Sequence, residues 1–234
     1  MTNYLNQIFN FQNKLAVITG AGGYLCSEMA RGLAKAGCAV ILLDMRLKKV
    51  RTVEKEMKDE GFKNVYSFEL DVVKKNDFRQ VLKKILTKFD QIDILINGAG
   101  INSPVPFMEI SEDEWDKILA VQLKGTLFAC QVFGDHMLKN KSGSIINISS
   151  ASAGPPLSKA FAYSVAKAGT VNLTQNLARE WGEKGVRVNS LRPGFFPTEW
   201  NRKNFIDPKR EKKILGHTPM ARFGKPEELV GAVL

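Results

Sequence analysis

Six short apolar runs rich in β-branched residues recur between helical patterns along the 234-residue chain, and this alternation constrains the fold more than any other feature. The runs are Lys14–Thr19, Cys38–Leu43, Asn64–Leu70, Ile92–Ile96, Ser144–Ser149 and Val186–Leu191. Lys14–Thr19 and Cys38–Leu43 are near-continuously apolar, which marks strands buried on both faces. The 3.6-residue pattern predicts helices over Leu25–Ala36, Lys48–Glu60, Asp77–Phe89, a long one from Ser111 to Lys139, Ala160–Gly182, and a last one from Glu227. Ser111-Glu-Asp-Glu114 reads as a capping box. From Arg192-Pro193-Gly194 to His217 the pattern is irregular. No repeat or internal linker interrupts the series, so the expectation is α/β: one doubly wound parallel sheet in a single domain over residues 1–234. The helix that opens at Glu227 stops in mid-pattern at Leu234, which predicts a further C-terminal strand and tail.

Composition narrows the class. With 44% hydrophobic and 25% charged residues, the chain has ordinary globular composition and is long enough for one large core. No apolar run reaches the roughly 18 residues that cross a membrane. Met1–Asn13 lacks the basic start and apolar centre of a secretory signal. The three cysteines, Cys26, Cys38 and Cys130, are scattered and odd in number, which suits a reducing cytoplasm. No metal-ligand spacing occurs, and no metal is expected. The net charge of +10 is spread over pairs such as Lys48-Lys49, Lys83-Lys84 and Lys212-Lys213, without a stripe or interleaved aromatics. A small-molecule substrate is expected as partner, with neither nucleic acid nor membrane.

Thr19-Gly20-Ala21-Gly22-Gly23-Tyr24-Leu25-Cys26 joins the first strand to the first helix. Glycines there let the backbone turn tightly and approach a pyrophosphate at the helix N-terminus, as in a Rossmann-type fold. Cys26 stands where a third glycine normally lets helix and strand pack. Asp44 ends the second strand, where a carboxylate can accept from ribose hydroxyls and repel a 2′-phosphate, favouring NAD over NADP. Arg46, two residues on, argues the other way. Further along, Tyr163 and Lys167 stand four apart on one helix face. A nearby ammonium favours phenolate and lowers a tyrosine from about 10, so the pair suits proton transfer near neutral pH. Alone, such a pair is as well explained by a solvated helix face.

Five features coincide: Thr19-Gly20 with its glycine turn, Asn97-Gly-Ala-Gly100, Ser150 thirteen residues before Tyr163, Tyr163-x-x-x-Lys167, and Pro193-Gly194 with Thr198. Together they resemble the short-chain dehydrogenases/reductases, in the compact single-domain branch, from about Lys14 to Leu234. The Gly-Gly-x-Leu-Cys turn is similar to that of gluconate- and hexuronate-type dehydrogenases. The resemblance implies an NAD-dependent oxidoreductase interconverting a secondary alcohol and a ketone. Tyr163 would be the acid/base, Lys167 would lower its pKa and hold the nicotinamide ribose, and Ser150 would bind the substrate oxygen. Ser149 and Ser152 are alternatives to Ser150 that spacing disfavours. The cofactor would be held by Gly20, Gly22, Gly23, Tyr24, Leu25, Asp44, Asp71, Val72, Asn97, Ala99, Gly100, Tyr163, Lys167, Pro193, Gly194, Phe196 and Thr198. The resemblance also implies a homo-oligomer, a tetramer or dimer, built through the two long helices.

Two departures stand out. Tyr24 occupies a position usually held by glycine in the compact branch. Gln122 replaces the asparagine that holds a water in the family's proton relay, and its extra methylene predicts an altered relay. The substrate walls are expected from residues 101–107, 152–161 and 195–217, mixing Phe161, Phe195, Phe196 and Trp200 with Asn102, Ser152, Lys159 and Arg202. That mixture leans towards a sugar acid or polyol. The alternative reading is an NAD-binding sensor or scaffold of the same fold without turnover.

Overall fold

The computed structural model of the chain describes residues 4–155, 160–204 and 206–234. The expected strands form as β1 (Leu15–Thr19), β2 (Ala39–Asp44), β3 (Val65–Glu69), β4 (Ile94–Asn97), β5 (Gly143–Ile148) and β6 (Val186–Leu191). They pair in parallel as one six-stranded sheet in the order β3-β2-β1-β4-β5-β6. The order reverses between β1 and β4, which opens a crevice beyond the carboxyl ends of those strands.

Side-chain alternation sends each strand's apolar residues to two separate cores. After a short N-terminal helix α1 (Tyr4–Ile8), Ala16, Ile18, Val40 and Leu42 face α2 (Tyr24–Lys35) and α3 (Leu47–Asp59), which present Met29, Leu33, Val50 and Met57. Leu15, Val17, Ile41 and Leu43 face the other layer, α4 (Lys75–Leu86) and the long helix α5 (residues 112–139). There Phe78 and Phe133 meet edge to face at 5.8 Å. Each fully buried Leu, Ile or Phe in these layers contributes about 1.5–3 kcal/mol. The helix α6 (Phe161–Trp181) closes the second layer, with Trp181 reaching the core.

Three sequence expectations need correction. The long helix opens as expected, Ser111 Oγ accepting from Glu114 N–H at 3.2 Å, but it carries two π-helical segments, Ala120–Lys124 and Cys130–Gly134. The stretch after Pro193, expected to be irregular, contains α7 (Glu199–Asn204) and α8 (Pro208–Gly216). Both are short and polar, and each is started by a side chain rather than by periodicity. Asn201 N–H donates to Thr198 Oγ1, and Arg210 N–H donates to Asp207 Oδ1 ahead of Pro208. The helix expected from Glu227 begins as a 3₁₀ turn (Pro226–Leu229) and continues as α9 (Val230–Val233), whose Val233 joins the α2 side of the core. No helix among the described residues is long and apolar enough to cross a membrane.

Candidate active site

The turn after β1 is built from backbone. Gly20 lies at φ +71°, and a Cβ there would sit 2.7 Å from the Ala99 backbone, so both conformation and space demand glycine. Thr19 Oγ1 accepts from the N–H groups of Gly98 at 3.1 Å and Ala99 at 3.3 Å, locking the β1 turn to the β4 turn. Gly23 is the N-cap of α2, which has no side-chain cap and no acidic residue in its first turn. A bare backbone at the positive end of a twelve-residue helix fits a pyrophosphate. Asp44, buried at the end of β2, accepts from Gly22 N–H (3.2 Å) and from the N–H and Nε–H of Arg46 (2.9 and 3.2 Å). The Arg46 side chain is thus paired with Asp44.

The remaining cofactor candidates lie around the same crevice. Asp71 Oδ1 accepts from Val73 N–H and pairs with Lys74, beside the buried Val72. Asn97 donates to Asn147 Oδ1 at 2.8 Å, Asn147 donates to Thr174, and Asn97 Oδ1 is buried without a partner. Pro193 O accepts from Ala151 N–H, drawing the Pro193-Gly194 turn against the Ser150 segment. Phe196 packs over Gly224, and the Thr198 hydroxyl is engaged with Asn201 at 2.7 Å. Tyr24 is half exposed at the turn, and Leu25 packs against the α2-side core. Cys26 is accommodated because Gly98 lies opposite: a Cβ on Gly98 would fall on its Sγ.

Lys167 is 5% exposed and its Nζ donates to Ile148 O at 2.6 Å. Burial pushes its pKa down from 10.5 to about 8. Its Nζ lies 5.5 Å from the centre of the Tyr163 ring. The sequence expectation that the lysine lowers the tyrosine pKa needs revision here. Burial raises Tyr163 above its usual value, and the opposing influence is a hydrogen bond from Ser150. Ser150 Oγ accepts from both Ser152 N–H (3.2 Å) and Ser152 Oγ–H (3.0 Å). A hydroxyl has two lone pairs and one proton, so its own O–H remains to be donated towards Tyr163. Ser149 is not equivalent, because its Oγ–H is spent on Lys167 O at 2.8 Å. Ser152, expected as a wall residue or as an alternative to Ser150, is the group that orients Ser150.

Gln122 is buried in the first π segment of α5, a helical irregularity frequent at functional sites. Its Nε2 donates to Ile101 O at 2.5 Å, while Oε1 is buried without a hydrogen-bond partner beside Gly100. Of the expected wall residues, Phe161 meets Phe107 at 5.2 Å with the rings tilted by 55°, and Arg202 sits over the Phe223 ring at 5.2 Å. Lys159 and the Trp200 side chain lie outside the described residues.

Comparison with known proteins places this geometry. Residues 14–209 match the family model of the short chain dehydrogenases. The chain is 38% identical over 245 residues to the uncharacterized oxidoreductase UxuB of Bacillus subtilis, covering 96% of this chain and 88% of that one. It superposes on gluconate 5-dehydrogenase of Burkholderia cenocepacia, solved with NADP and tartrate, at a TM-score of 0.92 and 31% identity, covering 98% and 90% of the two chains. A xylitol dehydrogenase solved with NAD+ superposes at a TM-score of 0.89 with 26% identity, covering 95% and 91%. The chain belongs to the short-chain dehydrogenase/reductase family and is an oxidoreductase of that family.

Proposed function

We propose that the protein interconverts a secondary alcohol and a ketone with NAD, and that the substrate is a sugar acid or polyol. The observation that carries this reading is the convergence of Ser150, Tyr163 and Lys167 beside an uncapped helix N-terminus. The superposition on a gluconate 5-dehydrogenase and on a xylitol dehydrogenase supports the substrate class. Bound nicotinamide supplies the hydride acceptor for oxidation and the hydride donor for reduction. The backbone of residues 20–23 receives the pyrophosphate, and Asp44 accepts from the adenosine ribose. NAD is preferred because Arg46, the candidate for a 2′-phosphate, is already held by Asp44. Around these, Asp71 and Val72 face the adenine, and Asn97 to Gly100 line the cleft. Pro193, Gly194, Phe196 and Thr198 form the nicotinamide wall.

Tyr163 gives its Oη proton to the ketone oxygen in reduction and, as the phenolate, takes the proton of the substrate hydroxyl in oxidation. Ser150, with both lone pairs filled by Ser152, donates to the same substrate oxygen as charge develops on it. Lys167 provides a cation beneath the ring, and Gln122 Oε1 is the acceptor left for the proton relay. The outer face of α6 bears exposed Phe161 and Val165, and we place the contact of a homo-oligomer there and along α5 in a cytoplasmic protein.

The test is titration with NADH and NADPH, followed through tryptophan fluorescence, together with turnover of gluconate, hexuronates and alditols. Wild type binds NADH more tightly than NADPH, and Tyr163→Phe keeps NADH binding while kcat falls about 10³-fold. Full turnover in Tyr163→Phe would sink the assignment. Binding without turnover on the whole panel would leave a ligand sensor of the same fold.

A further inference from the structure

We propose that Arg192 is the carboxylate anchor of the substrate site, a role that rests on the sugar-acid reading above. The residue was not among those expected from the sequence. It follows β6 directly and its guanidinium crosses the segment that carries Ser150. Arg192 Nε–H donates to Ser150 O at 3.3 Å and Nη2–H to Ala151 O at 3.4 Å. These two nitrogens form the lateral edge of the guanidinium. The end-on edge, Nη1 with the second Nη2 proton, makes no hydrogen bond or ion pair among the described residues. A planar fork of this kind matches the two oxygens of a carboxylate.

The surroundings are arranged for an exposed, oriented cation. Gly154 offers no side chain to displace the group, since a Cβ there would lie 2.8 Å from Nη2. The arginine is exposed, and its two carbonyl contacts hold the head against the main chain of the catalytic serine. Arg202, the described cation singled out for the wall from the sequence, is stacked on Phe223. Arg192 therefore places a positive charge on the main chain of the segment that carries Ser150. A sugar acid can present a secondary hydroxyl to Ser150 and Tyr163 while its terminal carboxylate meets the fork.

The experiment compares D-gluconate with its neutral counterpart D-glucitol, with NAD, in wild type, Arg192→Gln and Arg192→Lys. The ratio of kcat/KM for gluconate over glucitol falls about tenfold or more in Arg192→Gln, chiefly through KM for gluconate, and Arg192→Lys recovers part of it. An unchanged ratio overturns the proposal and leaves Arg192 as a support of the Ser150 loop. A second readout does not need turnover: gluconate, but not glucitol, raises the melting temperature of the wild-type NADH complex, and the shift is lost in Arg192→Gln. A shift that persists in Arg192→Gln, or is absent from wild type, overturns the anchor. If wild type turns over neither polyol yet shows the gluconate-specific shift, the oxidoreductase reading fails for these substrates and the anchor stands. Circular dichroism and NADH affinity check that each variant is folded.

Discussion

The turn that joins β1 to α2 and the loops that wall the substrate side lie at the same end of the sheet but are held by different means. In the turn, nearly every contact is to main chain: Thr19 Oγ1 with two N–H groups, Asp44 with Gly22 and Arg46, Gly20 against Ala99. The loops rest more on side chains, beside main-chain bonds such as Ala151 N–H to Pro193 O and Gly224 N–H to Phe195 O. Phe107 meets Phe161 with both rings exposed, Phe195 meets Phe223 at 6.1 Å, and α7 and α8 hang on single caps. A surface that meets a constant ligand through its backbone tolerates few residues at each position. A surface that meets the variable partner through side chains on loops tolerates many.

That contrast can be strained at its strongest point. Gly98→Ala drives a methyl group onto Cys26 Sγ and towards Thr19 O, and chemical denaturation should register a loss of about 1–3 kcal/mol. Cys26→Ala in the same chain removes the obstructing sulfur and recovers most of the loss. Additive losses in the double variant would show that the sulfur is not what excludes a side chain at 98. Lys167→Met comes next, and its sign is opposite: activity disappears while the fold gains about 1–2 kcal/mol, because a buried ammonium is replaced by a thioether of similar length. The lysine titrates near 8 in the native chain against 10.5 unfolded. Its cost is therefore complete below about pH 8 and relieved as pH rises towards 10.5, so the stability gap between the two proteins narrows over that window. A gap independent of pH across the same range would show that Lys167 is not buried as a charge. The smallest effect belongs to the wall: within one chain, Phe161→Ala opens the exposed Phe107 pair and costs less than about 1 kcal/mol of the monomer's stability. A loss as large as that of Gly98→Ala would erase the distinction between the two regions.

The same distinction explains what could be read from residue order alone. The inner strands β1, β2 and β4 were legible as continuous apolar runs, the edge strands β3 and β6 by their place in the strand–helix alternation, and the glycine turn because Gly20 answers a backbone demand. Asp44 was legible by its place at a strand end. The two π segments of α5 were not, since nothing in Ala120-Val-Gln-Leu-Lys124 departs from helical composition. For α8 a signal was present in Asp207-Pro208, an N-cap followed by proline, and it was outweighed by the polar character of the helix. The raised pKa of Tyr163 depends on how deeply the ring is buried, which spacing does not carry. Arg192 was missed because the direction of a side chain leaving a strand end is set by the loop it meets, here Ser150 to Gly154.

The meeting of Cys26 with Gly98 has a consequence for the history of the chain. The two positions are far apart in sequence, yet the sulfur of one fills the volume that any side chain would need at the other. Substitutions at them are therefore ordered in time. A bare position 98 has to be present before a thiol settles at 26, and once the thiol is there, mutation at 98 is closed until 26 shrinks again. A turn that reads as a loosened glycine motif is in this chain a ratchet between the first turn of α2 and the loop after β4.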